Sequence, residues 1–195
     1  MSEDTKEKIV EGAYRTLIRD GYNRTTVKDI ASEAGVAAGL VHYYFSTKEE
    51  LLVAAIDHGC ATNLLAARAL QILDPLEAAR FGFEAEKEQL RSSRELYLLI
   101  FDMFGVGLHN PVIAAAVRRY IKERRDEITS IGTALLADLP GRPSQPVDAI
   151  SAAIWGSFVG ISLQKLIDPD FDSDAALDAL ADMVFSYIPV KEVAG

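Results

Sequence analysis

Residues 25–50, TTVKDIASEAGVAAGLVHYYFSTKEE, are the stretch whose residue types and spacing suggest chemistry. That chemistry is recognition of a nucleic acid. Thr26 can cap a short helix through its hydroxyl, with Asp29 three residues on as reciprocal partner. Ile30, Ala31 and Ala34 then share one face. Gly35 falls where the chain must turn sharply, and glycine takes positive φ without a Cβ penalty. A second helix places Val41, Tyr44 and Phe45 inward at i, i+3, i+4 spacing. Ala37, Ala38, Gly39, Leu40, His42 and Tyr43 are left facing out. Small residues at Ala31 and Gly35 let the two helices cross closely at a steep angle. The second helix then projects where it can enter a major groove.

Catalytic spacings are missing elsewhere. His42, His58 and His109 lie far apart, with no HExxH pattern. His58 and Cys60 are two residues apart on a helix and point to different faces. No G-x-S-x-G, P-loop or dinucleotide fingerprint is present. The pairs Glu49-Glu50 and Glu86-Glu88 read as solvated helix surface. Neither an enzyme nor a metal or cofactor is expected.

The chain has 195 residues, 49% hydrophobic and 25% charged, enough for a sizeable core. The single cysteine, Cys60, has no internal disulfide partner and fits a reducing cytosol. The start, MSEDTKEK, is no secretory leader. The longest uncharged run, Ala149 to Gln164, is too short to span a bilayer comfortably and reads as a helix buried in protein. A cytoplasmic protein with no membrane partner is therefore expected. The net charge of −9 disfavours nucleic-acid binding over the whole surface. From residue 6 to 48, however, seven bases (Lys6, Lys8, Arg15, Arg19, Arg24, Lys28, Lys48) outnumber five acids (Glu7, Glu11, Asp20, Asp29, Glu33). An acidic body would repel DNA everywhere except at that face.

The positioning elements read as helices throughout, about nine of them, so the fold class is all-α. A first helix spans about 5–19 and stops near Gly21, and the helix-turn-helix follows. Ser46 or Thr47 caps a long fourth helix to about Gln71. Asp74-Pro75 opens a fifth to about Leu90, and Ser93 caps a sixth, apolar nearly all round and therefore central. Asn110-Pro111 opens a seventh to about Leu139, and Pro140 to Pro146 is loop. The eighth covers 147–167, and Ser173 caps a ninth to about Ile188. Residues 1–50 are expected to form a three-helix DNA-binding head, and 51–195 a helical body for regulation and dimerisation.

The stretch TTVKDIASEAGVAAGLVHYYFSTKEELL, preceded by a helix ending in RDGY, resembles the head of the tetracycline-repressor (TetR) family of bacterial transcription regulators. The order of parts is specific: Thr-Thr-Val before helix two, Ala-x-x-Ala-Gly-Val at the turn, Tyr-Phe closing helix three, Lys-Glu-Glu-Leu opening helix four. The likeness covers roughly residues 5–56; beyond it only the helical layout is shared. It implies that Thr26 and Lys28 touch the phosphate backbone, with Lys28 within reach of a base. It implies that Ala37, Ala38, Gly39 and Leu40 meet the groove floor. His42 and Tyr43 would reach phosphates or base edges, and Lys48 would clamp a phosphate. Ala37 stands where many members have Ser or Thr, and His42 where many have Tyr. Ala and Leu offer only apolar contact to a thymine methyl, so hydrogen-bond readout from this helix is thin. Lys28, His42 and Tyr43, or DNA shape, must then supply the rest.

Heads of this kind work in pairs on palindromic sites. The last two helices offer the seam through Ala152, Gly156, Val159, Gly160, Leu163, Leu177, Leu180 and Val184. A pocket among helices five to eight would draw on some of Phe83, Tyr97, Phe101, Phe104, Trp155 and Phe158, which suits a small apolar or aromatic effector. Asp102, inside the apolar run of helix six, would pair with an arginine, face solvent or meet a cationic ligand. The expected function is a transcriptional regulator, a repressor released from its operator by the effector. The alternatives are a ligand-dependent activator and a helical protein-interaction module that has lost DNA binding.

Overall fold

The computed structural model describes residues 3–69, 72–137 and 144–186. Among these the chain is all α-helix outside its turns: α1 Glu3–Asp20, α2 Val27–Glu33, α3 Ala38–Tyr44, α4 Lys48–Ala69, α5 Pro75–Ser92, α6 Arg94–Gly107, α7 Pro111–Ala137, α8 Val147–Ile167 and α9 Ser173–Ser186. The boundaries follow local chemistry. Asp74 caps α5 by accepting from Leu76 N at 2.8 Å, with Pro75 as the first helical residue. Asn110 Oδ1 accepts from Val112 N at 3.0 Å and Ile113 N at 3.2 Å to open α7. At α9 the expected cap is corrected. Ser173 lies buried inside the helix, and Asp172 Oδ1 accepts from Ala175 N at 3.0 Å instead. The expected ends of α7 and α9, and most of the loop from Pro140, lie outside the described residues.

The chain divides into two compact units, drawn differently from the expected 1–50 and 51–195. The first holds residues 1–66 and 95–121, and the second 67–94 and 122–195. The first unit is larger than a three-helix head because its core is shared. Ile9, Ala13 and Leu17 of α1 pack with Ile30 and Ala31 of α2, Val41 and Phe45 around α3, and Leu51, Leu52 and Ala55 of α4. Leu99 and Met103 of α6 and Ile113 of α7 complete the same cluster. Gly12 permits a close approach of α1 to the end of α2: a Cβ on it would stand 2.9 Å from Ala34 Cβ. Central α6 is not buried all round. Leu98, Asp102 and Gly105 form an exposed stripe, while Tyr97, Leu99 and Met103 face in.

In the second unit α8 packs on α9 and α9 on α5. Ala78, Phe83 and Leu90 meet Phe158, Ile161, Leu166, Leu177 and Leu180 in the core. Buried Lys87 is satisfied by Glu84 at 2.8 Å and Asp178 at 2.5 Å, as a buried ammonium requires. Among the described residues α8 is the helix long and apolar enough to cross a membrane. Its Phe158, Ile161 and Leu166 are instead packed inside this unit, with Ser151 and Ser162 buried beside them. Within the chain that burial is partial: Ala153, Gly156, Gly160, Leu163 and Ile167 form a bare apolar face.

Candidate nucleic-acid interface

Two short helices and the start of a third carry the site. Thr26 caps α2 from an extended backbone: its hydroxyl accepts from Asp29 N at 3.2 Å, and Asp29 Oδ2 accepts from Thr26 N at 3.1 Å. The same hydroxyl donates to Asp29 Oδ2 at 2.5 Å, so both of its roles are spent on the cap. Gly35 turns the chain with φ +67° and nothing within 4 Å of where a Cβ would sit. Its need is for the backbone conformation alone. Ala37 occupies the cap position of α3 and makes no side-chain cap bond. The substitution of Ala for the family's Ser or Thr therefore leaves the first-turn N–H groups of α3 without a side-chain acceptor.

Along α3, Val41 and Phe45 are buried and Tyr44 half-buried, as the spacing required. The Tyr44 hydroxyl is enclosed with no hydrogen-bond partner. Ala37, Ala38, Gly39, His42 and Tyr43 are exposed, with Tyr43 70% exposed and braced edge-on by the Tyr44 ring at 5.2 Å. Leu40, expected to face out with them, is half-buried, so its reach is shorter than theirs.

α4 begins with its own reciprocal cap. Thr47 Oγ1 accepts from Glu50 N at 3.1 Å, while Glu50 Oε2 accepts from Ser46 N at 2.8 Å. Lys48 is turned inward. Its Nζ donates to the Tyr22 carbonyl at 3.0 Å and lies 4.8 Å from the Tyr22 ring centre. Burial pushes the Lys48 pKa down, opposed by the neighbouring Glu49 carboxylate. An ammonium has three N–H donors, and the carbonyl takes one. Tyr22 is itself fixed from the other side, its N–H donating to Asp102 Oδ2 at 3.2 Å. Neither Tyr22 nor this role of Asp102 was expected from the sequence. Of the three roles open to Asp102, exposure holds, and its partner is a backbone amide.

Charge on the surface is sorted by pairing. Arg15 bonds Glu11 and Glu33, Arg19 bonds Asp20 and Glu33, and Lys8 bonds Asp4. Lys28 is exposed and, like Lys6 and Arg24, makes no salt bridge among the described residues. Lys28 and the exposed edge of α3 thus sit on adjacent helices around one turn. The arrangement can present cations and a slim helix to a polyanion.

The expected effector residues fall in both units. Tyr97, Phe101 and Phe104 belong to the first unit, and Phe83, Trp155 and Phe158 to the second. Phe83 and Phe158 stack edge-on at 5.3 Å as core. An apolar cavity of about 30 Å³ does lie in the first unit, and of the six only Phe104 lines it, with Tyr14, Ile56, Leu99, Met103 and Tyr120. Aromatic side chains at helical spacing serve a core as readily as a pocket, which is why the sequence did not separate them. Among the described residues no cluster of His, Cys, Asp or Glu is placed to hold a metal. Of the expected seam residues, Gly156, Gly160 and Leu163 are exposed, and Ala152, Val159 and Val184 are half-buried. Leu177 is fully buried in its own unit, and Leu180 keeps 9% of its surface. Exposed Ile167 and Met183 were missed.

A family model described as bacterial regulatory proteins, tetR family, matches residues 9–55. The HTH-type transcriptional regulator TtgR of Pseudomonas putida is 37% identical over 82 residues, which is 40% of this chain and 39% of that protein. The matched segment thus spans about two fifths of the length of such curated relatives. A crystal structure of a TetR transcription regulator from Haloarcula marismortui superposes with TM-score 0.79 at 18% identity, covering 96% of this chain and 97% of that one. The transcriptional regulator FadR of Bacillus subtilis, in complex with stearoyl-CoA, gives TM-score 0.76 at 18% identity, covering 94% and 99%. At such identities the structural likeness is one of fold.

Proposed function

We propose that this chain, whose residues 9–55 match the tetR family of bacterial regulatory proteins, is a helix-turn-helix transcription regulator, a cytoplasmic repressor that binds a palindromic operator as a homodimer. A small apolar or aromatic molecule releases it. The observation that carries the DNA-binding reading is the turn itself. α3 presents Ala37, Ala38, Gly39, His42 and Tyr43 as exposed residues, with exposed Lys28 on the preceding α2, while Lys48 at the head of α4 is held by Tyr22. Residues 1–50 supply the DNA contacts, and the remainder supplies regulation and pairing. Thr26 and Leu40 serve it indirectly, one as a cap and the other as a half-buried brace.

The bare face of α8 supports a second copy as partner. Gly156 and Gly160 have nothing within 4 Å of where a Cβ would sit, so a partner helix has room to approach closely. The cavity lined by Phe104 is too small for an organic effector, so that part of the reading draws on the stearoyl-CoA held by the Bacillus subtilis regulator.

The test is selection of bound duplexes from a random DNA pool by the purified protein at two salt concentrations. A repressor dimer enriches a palindrome, and affinity falls steeply with salt. Replacing Tyr43 and Lys48 by Ala abolishes enrichment while sedimentation still reports dimers. No enrichment from folded dimers, with or without cell extract, would replace this reading by the interaction-module one. That alternative draws on the scarcity of hydrogen-bonding side chains along α3.

A further inference from the structure

The apparent isolation of Asp102, one acid in an apolar helix, ends at the DNA-facing side of the molecule. Its Oδ2 accepts the Tyr22 amide at 3.2 Å, and the Tyr22 carbonyl accepts Lys48 Nζ at 3.0 Å. One peptide unit on either side of Tyr22 thus joins α6 to the first residue of α4. The chain is shaped for the carboxylate. Gly21 turns with φ +75°, and a Cβ there would lie 3.0 Å from Asp102 Oδ2. Asp102 is exposed and lies outside the core cluster of the first unit, so packing alone does not explain it.

We propose that Asp102 is a positioning residue for DNA binding: from α6 it fixes the Tyr22 backbone, and Tyr22 in turn aims the Lys48 ammonium at a phosphate. This rests on the proposed DNA-binding function and names a residue of α6 that the helix-turn-helix does not contain. The carbonyl bond and the Tyr22 ring restrain an otherwise flexible four-carbon side chain. The phosphate then meets an ammonium whose freedom is already lost. Without Asp102 the turn after α1 loses its charged acceptor, and Lys48 loses a fixed anchor.

Electrostatics alone predicts the opposite sign. Removing a carboxylate near a polyanion strengthens binding, whatever replaces it. The experiment compares wild type, Asp102→Ala, Asp102→Asn and Lys48→Ala, as full-length dimers, on the duplex enriched from the random pool, across a salt series. Asp102→Ala is expected to weaken binding about fivefold. Its log–log salt slope should fall by about two, one for each protomer, as it does for Lys48→Ala. Asp102→Asn keeps an acceptor oxygen and should restore both affinity and slope. In the Lys48→Ala background, Asp102→Ala should add nothing. Equal or tighter binding by Asp102→Ala overturns the proposal, as does an unchanged slope or a full effect without Lys48. Either result leaves the DNA-binding function standing. Failure of the wild type to bind any duplex removes that function, and this inference with it.

Discussion

Thr26 and Ala37 open the two helices of the turn under opposite conditions. Thr26 accepts from an α2 amide and donates its own N–H to the Asp29 carboxylate, whereas Ala37 offers α3 no side-chain cap. A lost side-chain cap costs about 1 kcal/mol. Thr26→Ala should therefore lower the stability of the protein by about 1 kcal/mol, and Ala37→Ser should raise it by up to about 1 kcal/mol, both read from urea midpoints. A flat response at Ala37 would mean that solvent already serves the α3 amides. Gly35→Ala isolates a backbone effect, since its surroundings are open and only φ +67° resists a Cβ. A cost of about 1–2 kcal/mol is expected, with no loss of core packing.

Between elements, two features hold α1 to α2. Gly12→Ala would drive a Cβ against Ala34, 2.9 Å from its Cβ and 3.0 Å from its backbone nitrogen. Helices cannot yield as a side-chain tip does, so about 1–3 kcal/mol should be lost in denaturant unfolding. The second feature is ionic. Arg19 and Arg15 hold the Glu33 carboxyl below the usual carboxylate range, with the Arg19 hydrogen bond the leading cause, and Arg19 likewise lowers Asp20. A depressed folded pKa stabilises the fold above the unfolded value and loses that contribution as pH falls through the folded one. Helicity should accordingly fall in a window below about pH 4.3. Glu33→Gln should make that acid transition shallower in a circular-dichroism titration.

What the sequence disclosed at this scale was local. The caps at Thr26, Asp74 and Asn110, the turn at Gly35 and the inward set on α3 each depend on neighbours within a few residues. What it hid was distant. Asp102 bonds an amide 80 residues away, and no side-chain pattern marks a backbone partner. Leu177 and Leu180 sit at spacings that fit an inner face as well as an outer one, and only the packing of α8 and α5 decides between them. The six aromatics divided between the two units for the same reason.

Over the whole molecule, the net charge of −9 surrounds a segment where cations exceed acids. The bare face of α8 belongs to the acidic remainder. Gly160→Glu places a charge on that face with nothing within 4 Å to disturb inside the chain. The variant should keep its helicity yet sediment as a monomer, and its affinity for a palindromic duplex should collapse towards that for a half-site. Dimers that persist would move the seam elsewhere. The open edge of α3 also bears on inheritance. Ala37, Ala38 and Gly39 are exposed, and nothing lies within 4 Å of where a Gly39 Cβ would stand. New side chains there alter no buried neighbour. On the proposed function, mutation there redraws the address that is read while folding stays under separate selection, so a duplicated gene could diverge to a new target before its body had changed at all.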